Sequence, residues 1–213
     1  MHRWDHYIPI YERHFGRFRD RPIKMLEIGI QYGGGLYMWH RYFHPGSSIH
    51  GVDINDASIV PQGHNITASI GDSADPYFRD EVLPLLGQLD IVIDDGGHTM
   101  DQQINAFNVI YPTMAKDGVY LVEDTHTSLW GGDFHDYKPD PRHTFMEKAH
   151  GDTLRLMEWS GNPDNFATLM SDRCGELDDT VSEFCRTTAG IHFYDNIVVY
   201  ERGERRAPAH GLR

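Results

Sequence analysis

The sequence LDIVIDDGGH occupies residues 89–98, and the sequence VYLVEDTH occupies residues 119–126. In each stretch a short apolar run ends in acidic residues and a histidine. An apolar run of this kind beside a helical pattern predicts a buried parallel strand, and ligands of open α/β sheets bind at the carboxyl ends of such strands. We therefore expect four side chains from the two stretches to share one site. They are Asp95, His98, Glu123 and Asp124.

The chemistry of this cluster indicates a divalent metal ion. Three carboxylates close together repel one another and resist ionisation unless a cation lies among them. An all-oxygen donor set favours Mg²⁺, with Mn²⁺ or Ca²⁺ as alternatives. A simpler interpretation is that each aspartate caps the helix that follows it. Capping explains a single aspartate, but it does not explain three carboxylates and an imidazole at the ends of two predicted strands.

Length and composition favour a single α/β domain that fills residues 1–213. Of these residues 39% are hydrophobic and 24% are charged, and no apolar stretch approaches the ~20 residues that span a bilayer. The first residues lack the apolar run of a secretory signal, so we expect a cytoplasmic protein without a membrane partner. The sparse cysteines, Cys174 and Cys185, are expected as free thiols.

The charged and titratable residues narrow the function further. A formal net charge of −13 disfavours nucleic acid as a partner, because nonspecific binding to phosphates requires lysine and arginine. Most of the 14 histidines have no spaced partner that suggests a zinc site, so surface or core placement is the default for each. Only His98 and, less strongly, His126 are assigned to the functional site. For both, a structural role is the alternative.

Short apolar runs alternate with helical periodicity, a pattern that indicates an α/β fold with a mostly parallel, doubly wound sheet. The predicted strands are residues 23–28, 49–54, 66–70, 89–93 and 119–122. The predicted helices are residues 36–42, 76–86 and 100–114. Two final strands, at residues 191–194 and 197–200, are expected to form a terminal antiparallel hairpin across the Asp195-Asn196 turn.

Three further segments complete the chain. Residues 1–20 carry aromatics at helical spacing, which predicts an N-terminal helix that packs on the core, with packing over the cofactor as the alternative. These aromatics are Trp4, Tyr7, Tyr11, Phe15 and Phe18. Residues 127–190 are rich in glycine, proline and polar residues, which predicts an insertion over the site with helical patches near residues 144–149 and 180–185. Residues 202–213 form a charged tail that we expect to be frayed.

A glycine-rich turn follows the first predicted strand, in the sequence EIGIQYGGG at residues 27–35. Glycines let the backbone approach a ligand closely and leave amides at a helix start pointing toward it, which suits a nucleotide-like cofactor. The spacing departs from the dinucleotide fingerprint. Asp53 could hold a ribose through its two hydroxyls, and residues 71–73 could reach an adenine. The plainer alternative is that the glycines form a turn and that Asp53 is a cap.

Six motifs together carry a resemblance to a known family. They are LEIG at residues 26–29, GVDI at 51–54, GD at 71–72, IDDGGH at 93–98, VEDTHTS at 122–128 and IHFYD at 191–195. The set resembles the metal-dependent sugar O-methyltransferases, which are class I enzymes with a Rossmann-like fold that use S-adenosylmethionine. The resemblance extends over most of residues 4–201. The acidic motifs are specific for the family, whereas many methyltransferases share the glycine loop.

The resemblance implies a role for each candidate site residue. Contacts to S-adenosylmethionine are implied for Glu27, Gly29, Asp53 and Asp72. Binding of Mg²⁺ is implied for Asp95, Glu123 and Asp124, and His98 would be the general base. The acceptor would be a small saccharide or glycoside, because the family methylates deoxysugars of macrolides and includes a mycobacterial enzyme that acts on the reducing-end hydroxyl of 3-O-methylmannosides. By its short length the chain resembles the mycobacterial enzyme more than the larger macrolide enzymes. A homodimer is also expected.

Elementary chemistry agrees with these roles. An aliphatic hydroxyl has a pKa of roughly 16, and a bound divalent ion can lower such a value by several units. A histidine with an unperturbed pKa of ~6.5 is mostly neutral at pH 7, so His98 could accept the proton. The methyl carbon of a sulfonium is already electrophilic, so the protein must mainly align donor and acceptor for in-line displacement.

Three other functions are compatible with the same residues. A catechol-type O-methyltransferase would use the same cofactor with a more acidic phenol. A metal-dependent hydrolase would use the acidic triad but would leave the glycine loop without a role. A noncatalytic S-adenosylmethionine-binding module is the third. The aromatic and histidine side chains of the insertion could line a carbohydrate site or bury a loop. They are Trp130, Phe134, His135, Tyr137 and His143.

Overall fold

The computed structural model describes residues 3–55, 65–130, 140, 142–168, 177 and 179–208. Phe134, His135, Tyr137 and Cys174 lie outside the described residues. The strands, in chain order, are β1 (Lys24–Ile28), β2 (Ser48–Asp53), β3 (Ile66–Ile70), β4 (Ile91–Asp94), β5 (Val119–Val122), β6 (Thr188–Tyr194) and β7 (Ile197–Arg202). The helices are α1 (Ile8–Phe15), α2 (Gly34–Tyr42), α3 (Leu83–Leu86), α4 (Met100–Ile110), α5 (Phe145–Leu156), α6 (Pro163–Thr168) and α7 (Glu183–Thr187).

All seven strands form one sheet in the order β3-β2-β1-β4-β5-β7-β6. Neighbouring strands from β3 through β5 are parallel, whereas β7 is antiparallel to both β5 and β6. Asn196 closes the β6–β7 hairpin with a left-handed backbone, at φ 63°. The predicted mostly parallel sheet with a terminal antiparallel hairpin is confirmed. No helix among the described residues is long and apolar enough to cross a membrane.

The register of the central strands brings the two acidic sequences to one edge of the sheet. Ile28 at the end of β1 pairs with Asp94 of β4, which in turn pairs with Val122 of β5. Every residue of β4 and β5 is buried, as expected for parallel strands that are covered on both faces. The backbone N–H of Glu123 donates to the Asp94 carbonyl at 2.9 Å, so the residues that follow both strands leave the sheet side by side.

Helices cover both faces of the sheet and enclose two apolar clusters. The first contains aromatics of the N-terminal segment together with α2 residues such as Trp39. Tyr7, Tyr11, Phe15 and Phe18 are all buried there, which confirms core packing for these four aromatics. Core packing is wrong for Trp4, the fifth aromatic of the pattern, because 56% of it is exposed. The second cluster lies on the opposite face, between the sheet and helices α4 and α5. The thiol of Cys185 is free and buried, as expected.

Prolines explain where the helices depart from prediction. The helix expected at residues 76–86 divides into a π-helical turn at Phe78–Val82 and the short helix α3. Pro84 has no N–H to continue the regular ladder, and the N–H of Leu83 donates to the Phe78 carbonyl one residue further back than in an α-helix. The helix expected to reach residue 114 ends at Ile110 and continues as a 3₁₀ turn that contains Pro112.

The C-terminal segment is packed rather than frayed over its described residues. The guanidinium of Arg205 donates to the carbonyls of Leu156 and Cys185 at 2.8 and 2.9 Å, and Ala207 is buried. The expectation of a frayed tail is therefore wrong for residues 202–208, because hydrogen bonds to distant elements hold a segment whose local sequence is merely polar. Helix α6 was not predicted, and α5 extends well beyond the expected patch at residues 144–149.

Helix α4 begins directly after the acidic sequence of β4, and a capping box fixes its first turn. The Thr99 hydroxyl accepts from the Gln102 backbone N–H, and the Gln102 side chain accepts from the Thr99 backbone N–H. This reciprocal pair satisfies two N–H groups that have no partner within the helix. His98 lies immediately before this cap.

We expect Thr99→Ala to lower the free energy of unfolding by about 1 kcal/mol, because the cap side chain is lost. Equilibrium unfolding in urea measures the change. Thr99→Ser keeps the hydroxyl and is the matched control, expected within a few tenths of a kcal/mol of the parent. Equal stability of the alanine variant and the parent would show that the capping box contributes nothing.

Candidate functional site

A cleft of about 720 Å³ lies at the carboxyl edge of the parallel strands. The loops that follow β1 to β5 contribute to its lining. Seven of the eight predicted site residues line this cleft, whereas the eighth, Glu123, is buried with 2% of its surface exposed. The predicted residues that line the cleft are Glu27, Gly29, Asp53, Asp72, Asp95, His98 and Asp124. The structure therefore brings the glycine loop and the acidic cluster to one place.

Gly29 allows the ends of β1 and β4 to approach each other closely. Its backbone is left-handed, at φ 81°, and a Cβ at this position would overlap the backbone oxygen of Asp95. The N–H of Asp95 donates to the Ile28 carbonyl at 2.9 Å, so the two chains remain paired past the end of the strands. A side chain at position 29 would separate the glycine loop from the acidic cluster.

The glycine triplet places a buried carboxylate against the start of helix α2. Gly33 precedes the helix with a left-handed backbone, and a Cβ on Gly35 would overlap the Glu27 carboxylate. The backbone N–H groups of a helix's first turn carry partial positive charge, which favours an anion there. Burial acts in the opposite direction, because only 1% of Glu27 is exposed. It raises the pKa of the Glu27 carboxyl to about 7, although the charge of Arg3 opposes the shift.

Asp53 organises the loop that follows β1. Its Oδ2 atom accepts from the backbone N–H groups of Ile30 and Gln31, both at 2.9 Å. Its Oδ1 atom accepts from the backbone and side-chain nitrogens of Asn55 at 2.9 and 3.2 Å. Both oxygens are therefore engaged by the protein, which is a structural role of the kind that the sequence left as an alternative. Binding of a ribose by Asp53 stays a prediction.

Arg3 lies among the carboxylates of Glu27, Asp95 and Glu123 and forms an ion pair with each. The pair with Asp95 is 2.8 Å long, and only 5% of the Arg3 side chain is exposed. Burial and the charge of Glu123 raise the pKa of Asp95 above its usual value, against the opposing charge of Arg3. Sequence reasoning missed Arg3, because no local pattern links it to Asp95, 92 positions away.

Two phenols of the N-terminal segment also donate to the acidic cluster. The Tyr7 hydroxyl donates to Asp124 Oδ1 at 2.7 Å, and the Tyr11 hydroxyl donates to Glu123 Oε1 at 2.6 Å. Burial raises the pKa of both phenols, so they are protonated donors at neutral pH. The sequence indicated these tyrosines by their helical spacing, but only as core residues. Each contributes its ring to the core and its hydroxyl to the site.

The potential ligand atoms of Asp95, His98 and Asp124 lie within 4.8 Å of one another. His98 Nε2 is 3.5 Å from Asp124 Oδ2 and 3.9 Å from Asp95 Oδ1. Burial lowers the pKa of His98 although Asp124 opposes the shift, so the imidazole is neutral at pH 7. His98 and Asp124 both have left-handed backbones, at φ 56° and 53°. Such backbone strain in non-glycine residues is typical of functional sites.

The structure shows what surrounds Glu123, His98 and His126. Glu123 faces Arg3 and Tyr11, whereas His98 faces the two aspartates. His126 Nδ1 is 4.0 Å from Asp124 Oδ1, which is too long for a hydrogen bond, and its ring packs edge-on against Trp130. Tyr7 rather than His126 therefore orients the Asp124 carboxylate.

The donor set fits a divalent cation. It consists of carboxylate oxygens and one neutral imidazole, and the Arg3 guanidinium shows that a positive charge is accommodated among them. In addition, His98 Nδ1 is buried and has no hydrogen-bond partner among the described residues. Oxygen-rich sites of this composition favour Mg²⁺ or Mn²⁺.

We expect Gly29→Ala to destabilise the protein by about 2 kcal/mol or more, because a Cβ there is strained at positive φ and overlaps backbone atoms that cannot turn away. Thermal and urea unfolding measure the loss. Gly71→Ala is the matched control: Gly71 also lines the cleft, but a Cβ at this position has open space around it. The interpretation is wrong if both variants have the stability of the parent.

Comparison with known proteins gives related methyltransferases, although no protein-family model matches the chain. Demethylmacrocin O-methyltransferase of Streptomyces fradiae is 33% identical over 210 residues, which cover 92% of this chain and 48% of that protein. The 8-demethyl-8-alpha-L-rhamnosyl tetracenomycin-C 2'-O-methyltransferase of Streptomyces olivaceus is 33% identical over 214 residues, which cover 96% of this chain and 52% of that protein.

A solved structure agrees with the sequence comparison. It is the MycE methyltransferase from the mycinamycin biosynthetic pathway, in complex with Mg, SAH and mycinamycin VI. It superposes with a TM-score of 0.76 at 29% identity, over 93% of this chain and 49% of that chain. The chain thus spans about half the length of the curated relatives it matches. By sequence identity and by fold, the chain is therefore related over nearly its whole length to sugar O-methyltransferases.

Proposed function

We propose that this chain transfers a methyl group from S-adenosylmethionine to a hydroxyl of a sugar or glycoside, in a reaction that depends on Mg²⁺. The observation that carries the proposal is the single cleft that joins a glycine loop to a partly buried acidic cluster. The names of the relatives support it, since both are O-methyltransferases and one of them is named for a rhamnosyl tetracenomycin. The bound Mg and SAH of the MycE complex support the choice of metal and cofactor.

In this proposal the glycine-loop half of the cleft holds S-adenosylmethionine. Glu27, Gly29, Asp53 and Asp72 line this half. The cofactor's ribose hydroxyls would replace the bonds of Asn55 on Asp53 Oδ1, while Oδ2 continues to hold the loop. A volume of about 720 Å³ is within the range of roughly 300–1,000 Å³ that is typical of small-molecule sites.

The acidic half of the cleft would hold the metal ion through Asp95, Glu123 and Asp124. Mn²⁺ and Ca²⁺ are alternatives with the same preference for oxygen. A divalent ion held there would lower the pKa of an acceptor hydroxyl. Glu123 becomes available as a ligand only when Arg3 withdraws, because the Arg3 guanidinium contacts it directly. Tyr7 and Tyr11 hold the Asp124 and Glu123 carboxylates in position by donating to one oxygen of each.

His98 would act as the general base. Its imidazole is neutral and partly buried, and its Nδ1 atom makes no hydrogen bond within the described part of the chain. His98 would take the proton of the acceptor hydroxyl, whose oxygen would displace the sulfonium sulfur at the methyl carbon and leave the electron pair of the carbon–sulfur bond on sulfur. No covalent enzyme intermediate forms. The Thr127 hydroxyl fixes the His98 backbone by donating to its carbonyl at 2.8 Å.

The remaining elements of the proposal concern the acceptor and the assembly. Residues 127–190 would shape the acceptor pocket, with Trp130 beside the acidic half of the cleft, where its ring packs on His126. We also propose a homodimer that acts in the cytoplasm. One candidate acceptor is the 1-hydroxyl of a 3-O-methylmannoside.

The decisive experiment combines calorimetric titration of S-adenosylmethionine with a methyl-transfer assay over sugars, 3-O-methylmannosides and catechols, in Mg²⁺ or excess chelator. Transfer to a sugar that stops in chelator is the expected result. Transfer to catechols alone would indicate a catechol-type enzyme, and binding without transfer would indicate a noncatalytic module. Failure to bind S-adenosylmethionine would overturn the proposal and favour a hydrolase or a structural acidic cluster.

We expect Arg3→Met to destabilise the metal-free protein by about 3 kcal/mol, because it leaves buried carboxylates without a positive partner. The same variant should bind Mg²⁺ more tightly than the parent, since the guanidinium no longer competes for the carboxylates. Urea unfolding and calorimetry in the absence of cofactor measure the two effects. Arg19→Met is the control, because the ion pair of Arg19 with Glu12 is exposed. An unchanged Mg²⁺ affinity would show that Arg3 does not compete with the metal.

We expect His98→Ala to lower kcat by about 10²-fold or more, as loss of a general base does, with little change in Mg²⁺ affinity. His126→Ala is the matched control on the same rim and should retain most of the activity. Calorimetry with Mg²⁺ separates two roles: if His98→Ala weakens metal binding as much as Asp124→Asn does, then His98 is a ligand. Unchanged activity would place the base elsewhere.

A further inference from the structure

A second cluster of potential metal ligands lies outside the residues that line the cleft. It consists of His14 on α1, His192 on β6 and Glu201 on β7, whose ligand atoms lie within 4.8 Å of one another. The relatives' names and complexes mention a single kind of metal, Mg, and the acidic half of the cleft accounts for it. We propose that His14, His192 and Glu201 bind a transition-metal ion of the zinc class.

Each of the two imidazoles has a ring nitrogen close to the Glu201 carboxylate. His14 Nδ1 is 2.9 Å from Glu201 Oε1, and His192 Nε2 is 3.4 Å from Glu201 Oε2. Ligands about 2.0–2.1 Å from a zinc ion stand roughly 3.4 Å apart at the corners of a tetrahedron. The two imidazole rings meet at 61° with centroids 4.8 Å apart, and one potential ligand atom from each of the three side chains lies within 4.8 Å of the other two.

The chemistry of the set selects the class of metal. Two imidazoles and one carboxylate are the protein ligands of well-known three-ligand zinc sites, in which water fills the fourth position. Imidazole nitrogen suits Zn²⁺, Cu²⁺, Ni²⁺ and Fe²⁺, whereas Mg²⁺ and Ca²⁺ prefer oxygen. This site therefore differs in kind from the oxygen-rich cluster of the cleft, and the same ion is not expected to fill both.

A neighbouring hydroxyl orients the most buried ligand. His14 Nε2 lies 2.8 Å from the Tyr194 hydroxyl, so the ring is fixed with Nδ1 toward Glu201. Metal-binding histidines usually hold their second nitrogen in such a hydrogen bond, which sets the tautomer. With a metal on Nδ1, Nε2–H donates to the Tyr194 oxygen.

One ligand of the cluster is buried, and the other two are partly exposed to solvent. His14 has 2% of its side chain exposed, whereas His192 and Glu201 are 33% and 27% exposed, which leaves access for an ion and a water. Arg17 is the other cation that acts on Glu201, but its guanidinium donates to the Asp117 carbonyl at 2.9 Å. No protein cation among the described residues forms an ion pair with Glu201 apart from the two histidines.

An ion at this site would link helix α1 to the β6–β7 hairpin. Helix α1 carries Tyr11, which donates to Glu123, and follows Tyr7, which donates to Asp124. Fixing α1 against β6 and β7 therefore also fixes the phenols that hold the acidic cluster. Because His14 and Glu201 are 187 positions apart, no ligand spacing in the sequence signals the site.

The test uses the full chain after chelator treatment, in an Asp95→Asn/Asp124→Asn background that removes two acidic ligands from the cleft. Zn²⁺ affinity is measured by competition with a chromophoric chelator, and Co²⁺ is added as a spectroscopic probe. We expect one tight Zn²⁺ site, a visible Co²⁺ spectrum of the intense four-coordinate type, and a higher Tm with Zn²⁺. Tyr194→Phe should weaken Zn²⁺ binding about 10-fold, as loss of an orienting hydrogen bond does.

Glu201→Gln and His192→Asn should each weaken Zn²⁺ binding at least 100-fold and abolish the rise in Tm. His150→Asn is the matched control, because His150 stacks on Phe193 of the same hairpin but lies outside the cluster. Equal Zn²⁺ affinity in the parent, Glu201→Gln and His192→Asn would overturn the proposal. The proposal would also be overturned if the folded Asp95→Asn/Asp124→Asn variant did not bind stoichiometric Zn²⁺. In that case the cluster would be a hydrogen-bonded link between α1 and the hairpin.

Discussion

The mutual repulsion of carboxylates at one desolvated edge of the sheet is the constraint on which the rest of the structure depends. Parallel pairing of β1, β4 and β5 brings Glu27, Asp95 and Glu123 together whether or not their charges are compensated. Burial raises the pKa of each of these carboxyls, so positive charge or donated hydrogen bonds must offset the cost. The N-terminal segment supplies both, through a guanidinium and two phenols.

That segment consequently connects regions of the molecule that the sheet keeps apart. The apolar parts of its aromatics fill the core on one face, and its polar ends reach the acidic cluster. One turn further along α1, His14 reaches Glu201 on the terminal hairpin. A shift of this helix would alter the core, the cleft and the hairpin together. The glycine loop contributes in a different way. Gly29 and Gly35 leave space that the Asp95 backbone and the Glu27 carboxylate occupy, so neither position can carry a side chain.

Much of the fold could be predicted, because strands and helices leave local, periodic patterns in the sequence. The bounds of β3 and β5 match the predicted 66–70 and 119–122, and seven of the eight candidate site residues line one cleft. The errors have identifiable physical causes. Pro84 breaks a helix that the apolar pattern alone continues, and long-range hydrogen bonds of Arg205 order a tail whose composition indicates fraying.

The sequence by itself determined the parallel sheet, the edge at which ligands bind and the acidic chemistry of that edge, since adjacency along the chain fixes which residues follow each strand. Tertiary structure alone decided how this chemistry is completed. Arg3, Tyr7 and Tyr11 join the cluster, Asp53 is drawn to the loop amides, and His14 meets Glu201, only because packing brings distant elements into contact. Contacts of this kind have no period or spacing in the sequence, so the folded chain is needed to show them.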